Sequence, residues 1–110
     1  MNSKDLEKKA QAALVFLHEK AEEHAVARAQ ADYLDSWIKV ELARLKEEMK
    51  FADSDAAKTA AAMRHPDYKT ALEAKKEADT NWYAVQFKRE AANAVIGAWQ
   101  TLCANERRLP

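Results

Sequence analysis

Apolar and small residues recur every three or four positions along the first half of the chain. The recurring positions are Leu6, Ala10, Ala13, Leu17, Ala21, His24, Ala31, Leu34, Ile38, Leu42, Leu45 and Met49. This spacing matches the turn of an α-helix with one buried face. Neither Gly nor Pro interrupts it. The pattern therefore predicts one long, nearly straight helix over residues 3–51.

A short polar segment ends this pattern in the middle of the chain. Ser54 is a favourable N-cap, and Asp55 suits the positive end of a helix dipole. The Ala-rich stretch that follows predicts a short helix over residues 54–64. Because Pro disfavours helical conformation in the residue before it, His65 is expected to separate this helix from a new one that begins at Pro66.

The second half of the chain returns to helical spacing and predicts a helix over residues 66–107. One apolar stripe contains Leu72, Ala78, Trp82, Val85, Ala92, Ile96, Trp99 and Cys103, and an adjacent one contains Phe87, Ala91, Val95, Ala98 and Leu102. Two long helices with a short connection predict an antiparallel hairpin. The expected fold class is all-α, with one helical-hairpin domain over residues 1–110.

The position of the turn sets the register of this hairpin. A turn centred near position 59 pairs residues whose numbers add to about 119, in the manner of other antiparallel helix pairs. Trp82 then lies opposite Trp37. The Ala-rich segment 21–31 lies opposite Phe87 and Val95, so that small side chains meet large ones.

Part of each long helix is apolar on more sides than a hairpin can cover. Residues 12–17 are apolar almost all round, and the apolar face between Ala91 and Cys103 is wider than one helix can bury. A second copy of the chain is the simplest cover, which predicts a homodimer in the form of an antiparallel four-helix bundle. Gly97 would let two backbones approach closely in this region. The expected interface residues are Leu14, Leu17, Val95, Trp99 and Leu102.

Composition and charge exclude several classes of protein. Hydrophobic residues make up 48% and charged residues 33% of the 110 residues, which is typical of a folded domain rather than a disordered or membrane protein. One Gly and two Pro leave few turns for an all-β fold. The single cysteine, the polar N-terminal segment and the lack of a long apolar run favour a cytoplasmic location.

No set of catalytic or metal-binding groups can be assembled from the sequence. His18 and Glu22 share a helical face and could hold a metal ion, but no second cluster faces them, so a solvated face is the favoured interpretation. Ser54 has no neighbouring His, and His65 has no partner in view. Cys103 falls on an apolar stripe. We therefore expect a non-enzymatic protein without cofactor, metal or small-molecule substrate.

Basic and aromatic residues are interleaved along the second long helix. The 18 basic and 18 acidic residues give zero net charge, which argues against a protein that coats nucleic acid but leaves room for a local patch. Cations beside exposed aromatic rings can bind single-stranded DNA. Because Trp82 and Phe87 lie on the apolar stripes, burial in the core is the competing and favoured interpretation. The candidate nucleic-acid contacts are Lys69, Lys75, Lys76, Lys88 and Arg89.

Four segments between about positions 28 and 108 together resemble a known family. They are Tyr33-Leu34-Asp35, the stretch 38–46, His65-Pro66-Asp67-Tyr68, and an Ala/Val-rich helix with Trp99 before Arg107-Arg108. They resemble small, mostly uncharacterised helical proteins of bacteriophages and prophages, which are often encoded beside recombination genes. The resemblance implies an accessory protein of DNA metabolism in the bacterial cell and supplies no catalytic residues. Residues 1–27 depart from the family pattern.

Three functions are compatible with these features. The first is a phage accessory protein that assists DNA recombination or replication by binding a protein partner or single-stranded DNA. The second is an inhibitor or adaptor that blocks a host nuclease or defence complex through the acidic residues Glu19, Glu22 and Glu23. The third is a structural component of the virion.

Overall fold

A computed structural model describes residues 2–108 of the chain. The elements are α1 (Ser3–Glu19), α2 (Ala21–Glu48), α3 (Asp55–Met63) and α4 (Pro66–Arg107). No strand occurs within residues 2–108. The all-α prediction is therefore confirmed for this part of the chain.

The described residues form two compact units. Unit 1 combines residues from Met1–Ala25 with residues from Tyr83–Pro110, and unit 2 is Val26–Trp82. Helices α2 and α4 each contribute to both units. The single hairpin domain expected over residues 1–110 stays a prediction, and positions 1, 109 and 110 lie outside the described residues.

The single helix expected over residues 3–51 is divided into α1 and α2 at Lys20. This residue adopts φ −98° and ψ 3°, outside the helical region. The rings of Phe16 and His24, four residues before and four residues after Lys20, lie 5.4 Å apart. His24 is buried, and helical hydrogen bonds continue across the interruption, because the N–H of Lys20 donates to the carbonyl of Phe16 at 3.0 Å and the N–H of His24 donates to the carbonyl of Lys20 at 2.9 Å.

The C-terminal end of α2 packs against α3 in unit 2. Leu45, Met49 and Ala62 are buried together in this core. Helix α2 ends at Glu48, earlier than position 51, because the N–H of Met49 donates to the carbonyl of Lys46 at 3.1 Å in a tighter turn. As a result, α3 packs against the C-terminal end of α2.

Two N-caps define the helices that follow. The Oγ of Ser54 accepts the N–H of Ala57 at 3.1 Å, and α3 spans Asp55–Met63 where residues 54–64 were expected. The Nδ1 of His65 accepts the N–H of Asp67 at 3.0 Å at the start of α4. Helix α4 then runs over Pro66–Arg107, where residues 66–107 were expected.

Two ion pairs in unit 2 give a different register from the one expected. Arg44 lies 3.1 Å from Asp67, and Lys75 lies 3.8 Å from Asp35. The numbers of these pairs add to 111 and 110 instead of 119, so the register that placed Trp37 opposite Trp82 is wrong. Helix α3 packs against the last turn of α2. The first turn of α4 therefore contacts α2 about one turn before its C-terminal end, at Arg44.

Three carboxylates surround the guanidinium of Arg44. It donates to Glu41, to Glu48 at 2.8 Å and to Asp67 at 3.1 Å. The hydrogen bond to Glu41, together with the neighbouring negative charges, raises the pKa of Arg44 above its ordinary value. This group connects α2 to the first turn of α4 within unit 2.

Candidate binding surfaces

The five candidate nucleic-acid contacts all lie on α4 but belong to different units. Lys69, Lys75 and Lys76 are in unit 2, whereas Lys88 and Arg89 are in unit 1. Each group is therefore a separate candidate surface.

In the group of unit 2, Lys69 and Lys76 are exposed, whereas Lys75 is held by carboxylates. Lys75 is half-buried and its ammonium pairs with both Asp79 and Asp35. Lys69 and Lys76 are seven residues apart on one side of α4, but Glu73 lies between them on the same side. A phosphate that approached Lys75 would have to displace two carboxylates, so Lys75 is the least suited of the three lysines to contact a nucleic acid.

The group in unit 1 lies beside exposed aromatic rings. Tyr83 is 58% exposed and Phe87 is 69% exposed. The two residues are four apart, so their side chains share one side of α4. Lys88 and Arg89 follow directly and are exposed as well, while Glu90 is the nearest acidic residue in sequence. This short segment therefore combines accessible rings with two cations.

The expectation that Phe87 lies in the core is wrong. Ala91 and Ala98, which belong to the same stripe as Phe87, are exposed. Ala92, which belongs to the other stripe, is the buried residue on this part of α4. The two stripes look equally apolar in the sequence, and only the packing within unit 1 decides which of them is covered.

The predicted dimer interface also lies in unit 1, where no large apolar side chain of the described residues is buried. The buried residues of this unit are Ala10, Ala13, His24 and Ala92. Leu14 is exposed, whereas Leu17, Val95, Trp99 and Leu102 are at least partly accessible. Part of each of these large apolar side chains is therefore exposed in the single chain.

The residues considered for chemistry do not converge. No group of three or more His, Cys, Asp or Glu residues within residues 2–108 could hold a metal ion. His18 and Glu22 are exposed, and Cys103 is half-buried. His65 uses its Nδ1 to cap α4, and Ser54 caps α3.

The acidic residues of the second hypothesis form an accessible segment where α1 meets α2. Glu19, Glu22 and Glu23 are all exposed. Glu23 lies 3.6 Å from Lys20, an ion pair that solvent largely screens. The segment can therefore present negative charge to a basic partner.

One accessible surface was missed by the sequence reasoning. Val26, Tyr33 and Val40 are exposed at intervals of seven residues along α2. The signal was present in the sequence as a second repeat on the side of α2 away from the core stripe, since a seven-residue interval returns to nearly the same side of a helix.

No helix within the described range combines the length and apolar character needed to cross a lipid bilayer. In comparisons with known proteins, no protein-family model matches the chain, and neither does a curated protein or a solved structure.

Proposed function

We propose that this chain is a non-enzymatic accessory protein of a phage or prophage that acts by binding in the bacterial cytoplasm. It assists DNA recombination or replication through single-stranded DNA or through a protein of that machinery. The observation that supports the proposal best is the exposure of Tyr83 and Phe87 immediately before Lys88 and Arg89.

The proposed architecture is an antiparallel helical hairpin with α3 in its connection. The ion pairs Arg44–Asp67 and Asp35–Lys75 support it in unit 2, because the residue numbers rise along α4 as they fall along α2. A hairpin of this kind presents long helical faces for binding.

The aromatic and basic segment of unit 1 fits a single strand better than a duplex. Exposed rings can stack on unpaired bases, and each stacked base contributes about 1–3 kcal/mol. Lys88 and Arg89 can neutralise phosphates, which makes the affinity depend on salt. Such a site is tolerant of sequence because every base offers a π-face.

Fluorescence anisotropy of a labelled single-stranded oligonucleotide tests this site. We expect binding at low salt that weakens at physiological salt, and a loss of affinity when Tyr83 and Phe87 are both replaced by Ala. The matched control is Tyr33→Ala, since Tyr33 is an exposed aromatic residue on α2 in unit 2. Equal losses in both variants would contradict a specific stacking site.

The electrostatic part of the site has its own variant. Replacing Lys88 and Arg89 by Gln removes two phosphate contacts and lowers the slope of log K against log salt by about 1.4 for a single strand. Lys8 and Lys9, an exposed basic pair on α1, provide the control double variant. If the wild-type protein does not bind at low salt, direct DNA contact is excluded, and a protein target is then to be sought by pull-down from host lysate.

The proposal includes a homodimer formed through unit 1. Its surface consists of Leu14, Leu17, Val95, Trp99 and Leu102, which are all at least partly accessible in the single chain. Light scattering at micromolar concentration should report two chains for the wild type and one for a Leu17→Glu, Leu102→Glu double variant. Leu72→Glu, a change at an exposed Leu of unit 2, is the control. A monomeric wild type at this concentration would exclude the dimer.

A second candidate function is inhibition of a host protein through the acidic segment. The observation that favours it is the exposure of Glu19, Glu22 and Glu23. Reversing these three charges to Lys should abolish capture of a basic host nuclease or defence protein while leaving DNA binding intact or strengthened. Capture that is unaffected by the reversal argues against this function.

A further inference from the structure

The side of α2 that faces away from the core of unit 2 has an apolar stripe of its own. The stripe, which we call the outer stripe, consists of Val26, Ala29, Tyr33, Ser36, Val40 and Ala43. Its members are separated by alternating steps of three and four residues, and the three large members, Val26, Tyr33 and Val40, are 62%, 62% and 65% exposed.

The outer stripe is distinct from the buried stripe of the same helix. The buried residues in this stretch are Ala27, Ala31, Leu34 and Ile38. At 100° per residue, their mean direction differs from that of the outer stripe by about 160°. Nothing in unit 2 covers the large members of the outer stripe, although its repeat is that of a coiled-coil seam.

We propose that the outer stripe docks against the same stripe of a second copy of this chain, with the two α2 helices antiparallel. The large and small members alternate, so antiparallel pairing places a small residue opposite every large one. Val26 then faces the partner's Ala43, Tyr33 faces the partner's Ser36, and Val40 faces the partner's Ala29. Large-on-small layers of this kind fill space without gaps and let the helices approach closely.

The charges beside the outer stripe are self-complementary in the same arrangement. Asp32 and Lys39 flank the stripe on one side, at equivalent positions of consecutive repeats. In the antiparallel pair, Asp32 lies beside the partner's Lys39, and the two-fold symmetry repeats the contact. Both side chains are exposed, and their contacts within the chain, to Arg28 at 4.0 Å and Asp35 at 3.7 Å, are weak.

A parallel pair is disfavoured by the same residues. It would place Tyr33 opposite the partner's Tyr33 and Ser36 opposite the partner's Ser36, so that crowded layers alternate with empty ones. It would also bring Lys39 close to the partner's Arg44, because residues on the two flanks of a parallel seam face each other. Size and charge therefore agree on the antiparallel orientation.

This contact is independent of the proposed dimer surface in unit 1. One stripe of six residues buries less than the roughly 800 Å² per partner of a standard interface. We therefore expect association only at high protein concentration, and two different two-fold contacts in one chain would produce assemblies larger than a dimer.

Disulfide cross-linking of the full chain tests the contact. In a Cys103→Ser background, the double variant Val26→Cys, Ala43→Cys should form a covalent dimer at tens of micromolar protein under a glutathione redox buffer. Val26 and Ala43 lie far apart in one helix, with a rise of about 25 Å between them, so they cannot bridge within a chain. The single variants, Val26→Cys and Ala43→Cys, should remain uncross-linked alone but should cross-link to each other when mixed.

The outcomes separate this contact from the proposed unit 1 dimer. The same cross-link should form when Leu17→Glu and Leu102→Glu are added to disrupt unit 1. Cross-linking of Val26→Cys alone would show a parallel pair and overturn the proposal. Absence of cross-linking in every variant would overturn it as well.

Charge exchange provides a second test that does not depend on disulfide geometry. Asp32→Lys places two ammonium groups opposite each other, at position 32 and at the partner's Lys39, and should weaken association about three- to tenfold, as should Lys39→Asp. The double exchange restores opposite charges across the contact and should recover the wild-type affinity. Lack of recovery in the double variant would contradict the antiparallel register.

Discussion

The Nζ of Lys46 lies 2.8 Å from Oδ1 of Asp55 and connects the last turns of α2 to the first turn of α3. The hydrogen bond from Lys46, together with its charge, lowers the pKa of the Asp55 carboxyl below its ordinary value. A depressed pKa in the folded state means that the ionised carboxylate stabilises the fold. This stabilisation is present above the unfolded-state pKa of about 3.9 and is lost as the pH falls through the folded-state pKa.

Replacing Lys46 by Met should therefore raise the pKa of Asp55 towards its ordinary value. An NMR titration of the Asp55 carboxyl carbon measures this change directly. The effect on the free energy of unfolding should be small, because the carboxyl is exposed and solvent screens the pair. Lys50→Met, which removes an exposed lysine shortly after α2, should leave the titration unchanged. An Asp55 titration that is the same in Lys46→Met and the wild type would show that the pair does not form in solution.

The cap of α4 yields a prediction about His65. Because its Nδ1 accepts the N–H of Asp67, His65→Ala leaves that donor without its protein partner and should lower the free energy of unfolding by about 1 kcal/mol. Asn is a good N-cap, so His65→Asn should retain most of the stability. Urea denaturation followed by circular dichroism distinguishes the two variants. If both lose the same stability, the ring acts through packing and not as a cap.

The core of unit 2 depends on Leu45 more than on any exposed leucine. Leu45 is fully buried between Met49 and Ala62, so Leu45→Ala leaves a cavity and should cost about 2–5 kcal/mol. Leu72→Ala deletes the same atoms from an exposed site in the same unit and should cost less than about 1 kcal/mol. Equal costs in urea denaturation would show that the core is not where the structure places it.

Features with a local chemical cause could be predicted from the sequence. Ser54 and Pro66 are strong signals for helix starts, and α3 and α4 begin beside them. The division at Lys20 has no such signal, because neither Gly nor Pro lies near it. A periodic pattern that is continuous on both sides of a residue does not reveal a local departure of that residue from helical backbone angles.

The candidate sites were harder to predict because they depend on packing between helices. Lys75 looks like its neighbour Lys76 in the sequence, but Asp35 on α2 pairs with its ammonium. The exposure of Phe87 likewise depends on which of two apolar stripes is covered in unit 1. Periodicity identifies the faces of a helix, but the register of the opposing helix decides which face becomes a site.

Gly97 provides a test of how closely anything approaches α4 in unit 1. Apart from its two chain neighbours and the adjacent backbone of its own helix, a methyl group added at this position meets no atom within 4 Å in the single chain, and no residue of the described chain has a positive φ. Gly97→Ala should therefore raise the free energy of unfolding by about 1 kcal/mol through helix propensity. Ala98→Gly, at the next position of the same helix, should lower it by a similar amount or more.

The same variant tests the sequence-based expectation that two backbones approach each other at Gly97. By helical geometry, Gly97 points about 170° away from the mean direction of Val95, Trp99 and Leu102. A dimer formed through that surface should therefore tolerate Gly97→Ala, with no change of mass in light scattering at micromolar concentration. If the variant is more stable yet dissociates, a second backbone does pack against Gly97, and the dimer surface must include the opposite side of α4.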